Sequence, residues 1–184
     1  MFKDCTGLVT PPSSLPATTL DEWCYQGMFA GCTNMTTAPA LPAETLAKYC
    51  YYAMFYGCES LSTAPTLNAE TLTDWCYDSM FNNCKSLSSI SCEFTGFSPA
   101  NATSSWVLGV AKQGEFINSN VLRQYGNSKI PSGWTVVDGP LTFTGKSASN
   151  AVQLNKNGSP DAISLQYSKN KGTWTNYNWD GDNG

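Results

Sequence analysis

The sequence predicts an α/β solenoid, with a short helix and a short parallel strand in each unit of about 26 residues, followed by a cap and a small antiparallel β module. Three observations carry this. "MFAGCTNMTTAPALPAETLAKYCYYA", from Met28, is nearly rewritten as "MFYGCESLSTAPTLNAETLTDWCYDS" from Met54, and units begin at Met1, Met28, Met54 and Met80, at spacings of 27, 26 and 26 residues. Inside each unit, apolar residues recur at intervals of three and four. After Pro140 the text changes to strict apolar–polar alternation. The predicted organisation is therefore a repeat array over 1–92, a C-terminal cap over 93–139 and a partial β-sandwich-like module over 140–184.

The helix of each unit is read from "TLDEWCYQGMF", "TLAKYCYYAMF" and "TLTDWCYDSMF", where Leu20, Trp23, Cys24 and Met28 set a spacing that Leu46, Tyr49, Cys50 and Leu72, Trp75, Cys76 repeat. Thr19, Thr45 and Thr71 stand at the N-cap position, with Glu22 and Asp74 completing partial capping boxes and Lys48 breaking the pattern. Gly31 and Gly57 suit the left-handed position that ends a helix. The strand is read from "LVT", "MTTA", "LSTA" and "LSSISCEF", the first three stopped by Pro12, Pro39 and Pro65. One unit cannot bury both elements, so each coil covers the next.

The cap is read as a short helix around Ser105 to Ala111, a strand in "EFIN" and a strand in "WTVV", closing the last coil against water. In the final module "LTFT", "AVQL", "ISLQYS" and "TWTNYNW" alternate, with "NKNG" and "SKNKG" as turns. "DGDNG" at the end reads as a polar terminus before it reads as a calcium ligand set.

Composition narrows function. A net charge of −4 with 13% charged residues and no basic run gives no footprint for a phosphate backbone, so nucleic acid is not an expected partner. No run approaches the roughly 20 apolar residues of a membrane span, and "MFKDCTGLVT" is not a signal peptide. The chain opens partway through a repeat, which reads as a fragment of a longer protein. There is no His for a triad or zinc site, no Gly-rich phosphate loop and no carboxylate constellation, so neither catalysis, a metal nor a cofactor is expected.

All eight cysteines lie in the repeats, seven at two equivalent positions: Cys24, Cys50, Cys76, and Cys5, Cys32, Cys58, Cys84. Buried ladders of free thiols fit such rows best. Disulfides between coils are the second reading, and zinc, lacking clustered ligands, the third.

The candidate contact residues are mainly aromatic. Trp23, Tyr49 and Trp75 belong to the apolar stripe and read as core, whereas Tyr52 and Tyr56 share their positions with Gln26 and Asp78, and with Lys3, Ala30 and Asn82, and therefore read as exposed. Tyr25, Tyr51 and Tyr77 recur on the same side and join them as candidate ligand-binding residues. A second candidate surface is the polar row Thr10, Thr37, Thr63 and Ser89 on the strand face, with Thr37 and Thr63 at its centre.

"LPAETLAKYCYYAMFYGCESLSTAPTL" resembles the BspA-like, or Treponema-type, leucine-rich repeat through Leu41, Pro42, Leu46, Phe55, Gly57, Cys58 and Leu61. Its "MFxGC" and "TAPxLPAxTL" wording is similar to surface proteins of gut commensal bacteria and their phages. Met35, Asn68, Asn82 and Asn83 depart from the pattern. The resemblance covers about residues 1–92 and implies leucine-rich-repeat-like right-handed coils in a curved solenoid, used without catalysis for adhesion at the bacterial cell surface, outside the cell, to a host or microbial protein or glycan. The alternative is a structural spacer or phage virion-associated display domain whose β module does the binding.

Overall fold

The computed structural model describes residues 1–118, 122–138, 164–168 and 174–178. The chain divides into two compact units, Met1–Phe143 and Thr144–Gly184. The first contains β1 (Ser89–Cys92), β2 (Glu115–Asn118) and β3 (Thr135–Asp138), a parallel three-stranded sheet in that order. The second contains β4 (Ser164–Ser168) and β5 (Trp174–Asn178), paired antiparallel with Ser168 opposite Trp174. The strand readings of "LTFT" and "AVQL", and the calcium reading of "DGDNG", lie outside the described residues.

The expected helix-plus-strand, leucine-rich-repeat fold is overturned: among the described residues there is no helix, and the three parallel strands are short. In place of each helix, including that expected around Ser105, runs a chain of consecutive tight turns. In the second coil the amides of Cys50, Tyr52, Met54, Tyr56 and Cys58 donate to the carbonyls of Ala47, Tyr49, Tyr51, Ala53 and Phe55, three residues back, at 3.0–3.2 Å. The intervening amides of Tyr49, Tyr51, Ala53, Phe55 and Gly57 donate to Asp74, Cys76, Asp78, Met80 and Asn82 of the next coil at 2.8–3.2 Å. Every amide from 49 to 58 is thus satisfied, alternately within its coil and across to the next, as buried backbone requires. A helix would satisfy itself; this arrangement can exist only when a neighbouring coil is present.

Alternate turns need a left-handed residue at their third position. That residue is Trp23, Gly27 and Gly31 in one coil, Tyr49, Ala53 and Gly57 in the next, then Trp75, Ser79 and Asn83, all with φ between 50° and 75°. The same rhythm continues at Ser105 and Gly109. Burial follows a period of four, two residues in and two out: Cys50 and Tyr51, Met54 and Phe55, and Cys58 point into the core, while 52–53 and 56–57 do not.

The inward residues stack coil upon coil. Phe2, Phe29, Phe55 and Phe81 form a face-to-face ladder with centroids 5.4–5.7 Å apart and planes within 3°. Trp106 ends it at 6.1 Å from Phe81, tilted, and its indole N–H donates to the carbonyl of Lys129 at 2.7 Å. Met35, Leu61 and Leu87 fill the other side of the core with no exposure.

All eight cysteines are free thiols. The thiols of Cys32, Cys58 and Cys84 donate to the carbonyls of Phe2, Phe29 and Phe55 at 2.9–3.1 Å, so this row is a set of weak donors to the second lone pair of carbonyls that already accept a backbone amide from Cys5, Cys32 and Cys58. Burial pushes the Cys50 and Cys58 thiols up to about 12. Cys5 and Cys24, in the first coils, are exposed.

The expected strand of each unit is reduced to single bridges, Ser14 to Ala40, Thr63 to Ser89 and Leu67 to Cys92, until the "LSSISCEF" unit forms β1. β2 and β3 fall in "EFIN" and "WTVV" and extend that sheet in register, Ile90 to Phe116 to Val136. Gly114 leads into β2 against the Ser88 carbonyl and the Trp134 ring, where any Cβ would collide with both. Asn118, fully buried, donates its amide to the Cys92 and Phe94 carbonyls at 2.8 and 3.1 Å.

Candidate functional site

The outward positions of the turn ladder carry the most distinctive surface of the chain. Trp23, Tyr49 and Trp75 stand one above another there, centroids 3.7 and 5.8 Å apart and planes within 8°. Their spacing predicted core, and the structure corrects this: Trp23 is 45% exposed, and Tyr49 and Trp75 are half-buried. The reason is local. Each is a left-handed residue, with φ of 63°, 58° and 60°, and the turn that follows sends the next two side chains inward instead. Bulky residues in that region cost roughly 1–2 kcal/mol each relative to ordinary backbone, which ring stacking of about 0.5–1.5 kcal/mol per pair offsets in part.

Tyr52 leans edge-on against this row, 6.3 Å from Trp23 and 6.0 Å from Tyr49. The Lys48 ammonium lies 5.4 Å from the Tyr49 centroid. Tyr56, 43% exposed, sits one turn further along the same coil, and its hydroxyl accepts from the Asn83 side-chain amide at 3.4 Å. The structure therefore gathers Tyr52 and Tyr56 with Trp23, Tyr49 and Trp75 on one outward face.

The other candidates separate. Tyr25, Tyr51 and Tyr77 stack at 5.8 and 5.9 Å, but on inward positions: Tyr51 and Tyr77 are 1% exposed, and only Tyr25 is partly open. Tyr51 and Tyr77 are core residues, beyond the reach of a surface ligand. Burial pushes the Tyr77 phenol well above its ordinary range. Thr37 and Thr63 are exposed, as are Thr10 and, in part, Ser89, but they lie beside the bridges; Thr63 itself pairs with Ser89.

Asp78 and Asn82, whose polar letters made the Tyr52 and Tyr56 rows read as exposed, are themselves buried, as is Ala30 in the second row. Asp78 follows Tyr52 in its row and Asn82 follows Tyr56, yet each is only 8% exposed. The Ser79 hydroxyl donates to the Asp78 carboxylate at 2.6 Å, and burial holds that carboxyl above its usual range against this bond. The side-chain oxygen of Asn82 is buried with no donor among the described residues. Polar letters at these positions pointed to solvent, and only the packing of the coils shows that the rows close over toward Asp78 and Asn82.

Lys85 and Glu59, at equivalent positions of adjacent coils, pair at 2.7 Å. Among the described residues there is no group of three or more potential metal ligands. Compared with known proteins, the chain matches no family model, no curated protein and no solved structure.

Proposed function

We propose that the first unit is a non-catalytic binding module that engages a protein partner through the face formed by Trp23, Tyr49, Trp75, Tyr52 and Tyr56. The observation that carries this is the row of partly exposed aromatic rings held on left-handed backbone. Strained conformations kept at a surface row, and large aromatic side chains left open to water, are both features of contact sites. Tyr49 has a ring on each face, so it offers its edge and hydroxyl. Those groups suit the side chains of a protein partner. Tyrosine and tryptophan are also the residues that dominate protein interfaces.

The likeness of the repeat text to BspA-like surface proteins points the same way, toward adhesion outside a bacterial cell or on a phage particle, although the helix it implied is replaced by turns. The test is binding of the full chain and of a Trp23→Ser/Tyr52→Ser/Tyr56→Ser variant to immobilised host matrix proteins, mucin glycans and gut bacterial cells. Saturable binding to a protein that the variant loses is the expected outcome. Binding that survives the triple change overturns the aromatic face and favours the segment containing β4 and β5, with the coils serving as a spacer.

A further inference from the structure

We propose that Cys5 and Cys32 are a disulfide-forming pair: Cys5 takes up a small disulfide such as oxidised glutathione from solution, Cys32 resolves it, and the new bond clamps the first coil onto the second. The pair lies apart from the aromatic face and does not depend on its role in binding. Of the four thiols in this row only Cys5 is exposed, while Cys32, Cys58 and Cys84 have no exposure at all. Lys3, Asp4, Thr6 and Gly7 are exposed around it, and no atom crowds the position that a Gly7 side chain would take, so a tripeptide disulfide can reach the Cys5 sulfur.

The backbone sets the pairing. Phe2 and Asp4 donate to the Met28 and Ala30 carbonyls at 3.1 and 2.7 Å, which holds the two coils in register on either side of the cysteines. Phe2 and Phe29, each placed three residues before its cysteine, stack with centroids 5.4 Å apart and planes 2° apart. Cys5 and Cys32 are thus equivalent positions of coils whose separation falls inside the window of about 4.4–6.8 Å between Cα atoms that a disulfide spans. The Cys32 thiol donates to the Phe2 carbonyl at 2.9 Å, and the same oxygen accepts the Cys5 amide at 3.1 Å. The Cys32 sulfur therefore already sits against the first coil, beside the Cys5 backbone. Burial raises its thiol above the usual range, and the Cys5 N–H, lying against the sulfur, pulls the other way. The second row offers a poorer match: Cys24 is exposed, but the Cys50 thiol, pushed up to about 12 by burial, feels Cys76 more strongly than Cys24.

The chemistry balances as two exchanges. The Cys5 thiolate attacks one sulfur of oxidised glutathione, whose S–S bond breaks to release one glutathione thiolate. The Cys32 thiol then gives up the proton it shares with the Phe2 carbonyl, its sulfur attacks that of Cys5, and the second glutathione leaves as thiolate. Secreted proteins meet oxidants of this class. The clamp would secure the most weakly held layer: in this turn the first coil gives only two amides to the second, through Phe2 and Asp4, whereas the second gives five to the third.

The test is incubation of the reduced full chain with glutathione and oxidised glutathione, then alkylation with N-ethylmaleimide, digestion and mass spectrometry. A peptide pair joined through Cys5 and Cys32 is expected, lost on treatment with dithiothreitol, with Cys58 and Cys84 still thiols. The oxidised chain should also show a higher urea midpoint, because a bond between residues 5 and 32 restricts the unfolded chain. Cys32→Ala should stop at a mixed disulfide of Cys5 with glutathione, and Cys58→Ala should still form the crosslink. Should Cys32→Ala unfold, the crosslink map of the unaltered chain decides. The pairing is overturned by a Cys5–glutathione adduct that persists in the unaltered chain, by a Cys24–Cys50 bond without a Cys5–Cys32 one, by chains joined to each other through Cys5, or by a crosslink that forms only in urea.

Discussion

The phenylalanine ladder and the tryptophan–tyrosine ladder are built by one device, a ring repeated at each coil and stacked on its copy, yet they do opposite work. Phe29, Phe55 and Phe81 are sealed in the core, whereas Trp23, Tyr49 and Trp75 stand at the surface, six residues earlier in each coil. Along a run of turns with period four, a shift of six residues is one and a half periods, which exchanges inside for outside. The same sequence economy that writes a stable core can therefore write a surface row, and only the phase of the turn decides which is which.

The sharpest way to break the comparison is to delete one ring from each ladder. Phe55→Ala should cost about 3–5 kcal/mol, because it opens a cavity between two stacked rings in a site with no access to water. Trp23→Ser should cost under about 1 kcal/mol, since it loses one stack at a half-open site. Urea unfolding of both variants measures the difference, and equal losses would mean that the outer row is structural after all. A smaller effect isolates the turns themselves. The Cβ of Gly57→Ala would meet nothing closer than the Gly31 backbone at 4.0 Å, so its expected loss of about 1–2 kcal/mol comes from the left-handed φ of 71° alone. Ala53, at φ 50°, is the natural control: Ala53→Gly should gain less than that, because glycine's extra freedom in the unfolded chain offsets the relief.

The smallest effect is one of pH. Burial raises the Asp78 carboxyl above the ordinary value near 3.8, so over the window upward from that value the native state keeps its proton when the unfolded chain has lost it. Stability therefore falls as pH rises through the window, and Asp78→Asn escapes that fall. Thermal melts should show the two proteins alike in acid and the asparagine variant ahead at neutral pH; a variant that falls behind would mean that the carboxylate is better paired than its single Ser79 bond shows.

Much of this was readable in advance, and the misreading has a definite cause. The 26-residue period, the rows of cysteine and the inward Met and Leu positions needed only letters. So did strand segments such as "EFIN". A helix is the natural reading because 3.6 and 4.0 residues per turn diverge by only about 40° per step of four, so both periods gather the apolar letters between Cys50 and Cys58 on one side. Glycine at 27, 31 and 57, on one interval of four with the aromatic at 23 or 49, was the available sign of recurring left-handed residues. Tyr51 and Tyr52, adjacent in the sequence and alike in chemistry, fall on opposite sides of the coil wall, and no local rule sorts them until the turn phase is known.

By itself, then, the sequence determined that this protein repeats, where each copy begins and which residues must meet their copies, because periodic apolar letters are unstable unless stacked. Only the tertiary structure decided the backbone conformation of each copy. A turn that sends every second amide to the neighbouring coil has no meaning for a lone segment, and its choice over a helix, together with the face that Trp23, Tyr49 and Trp75 share, arises when the coils come together.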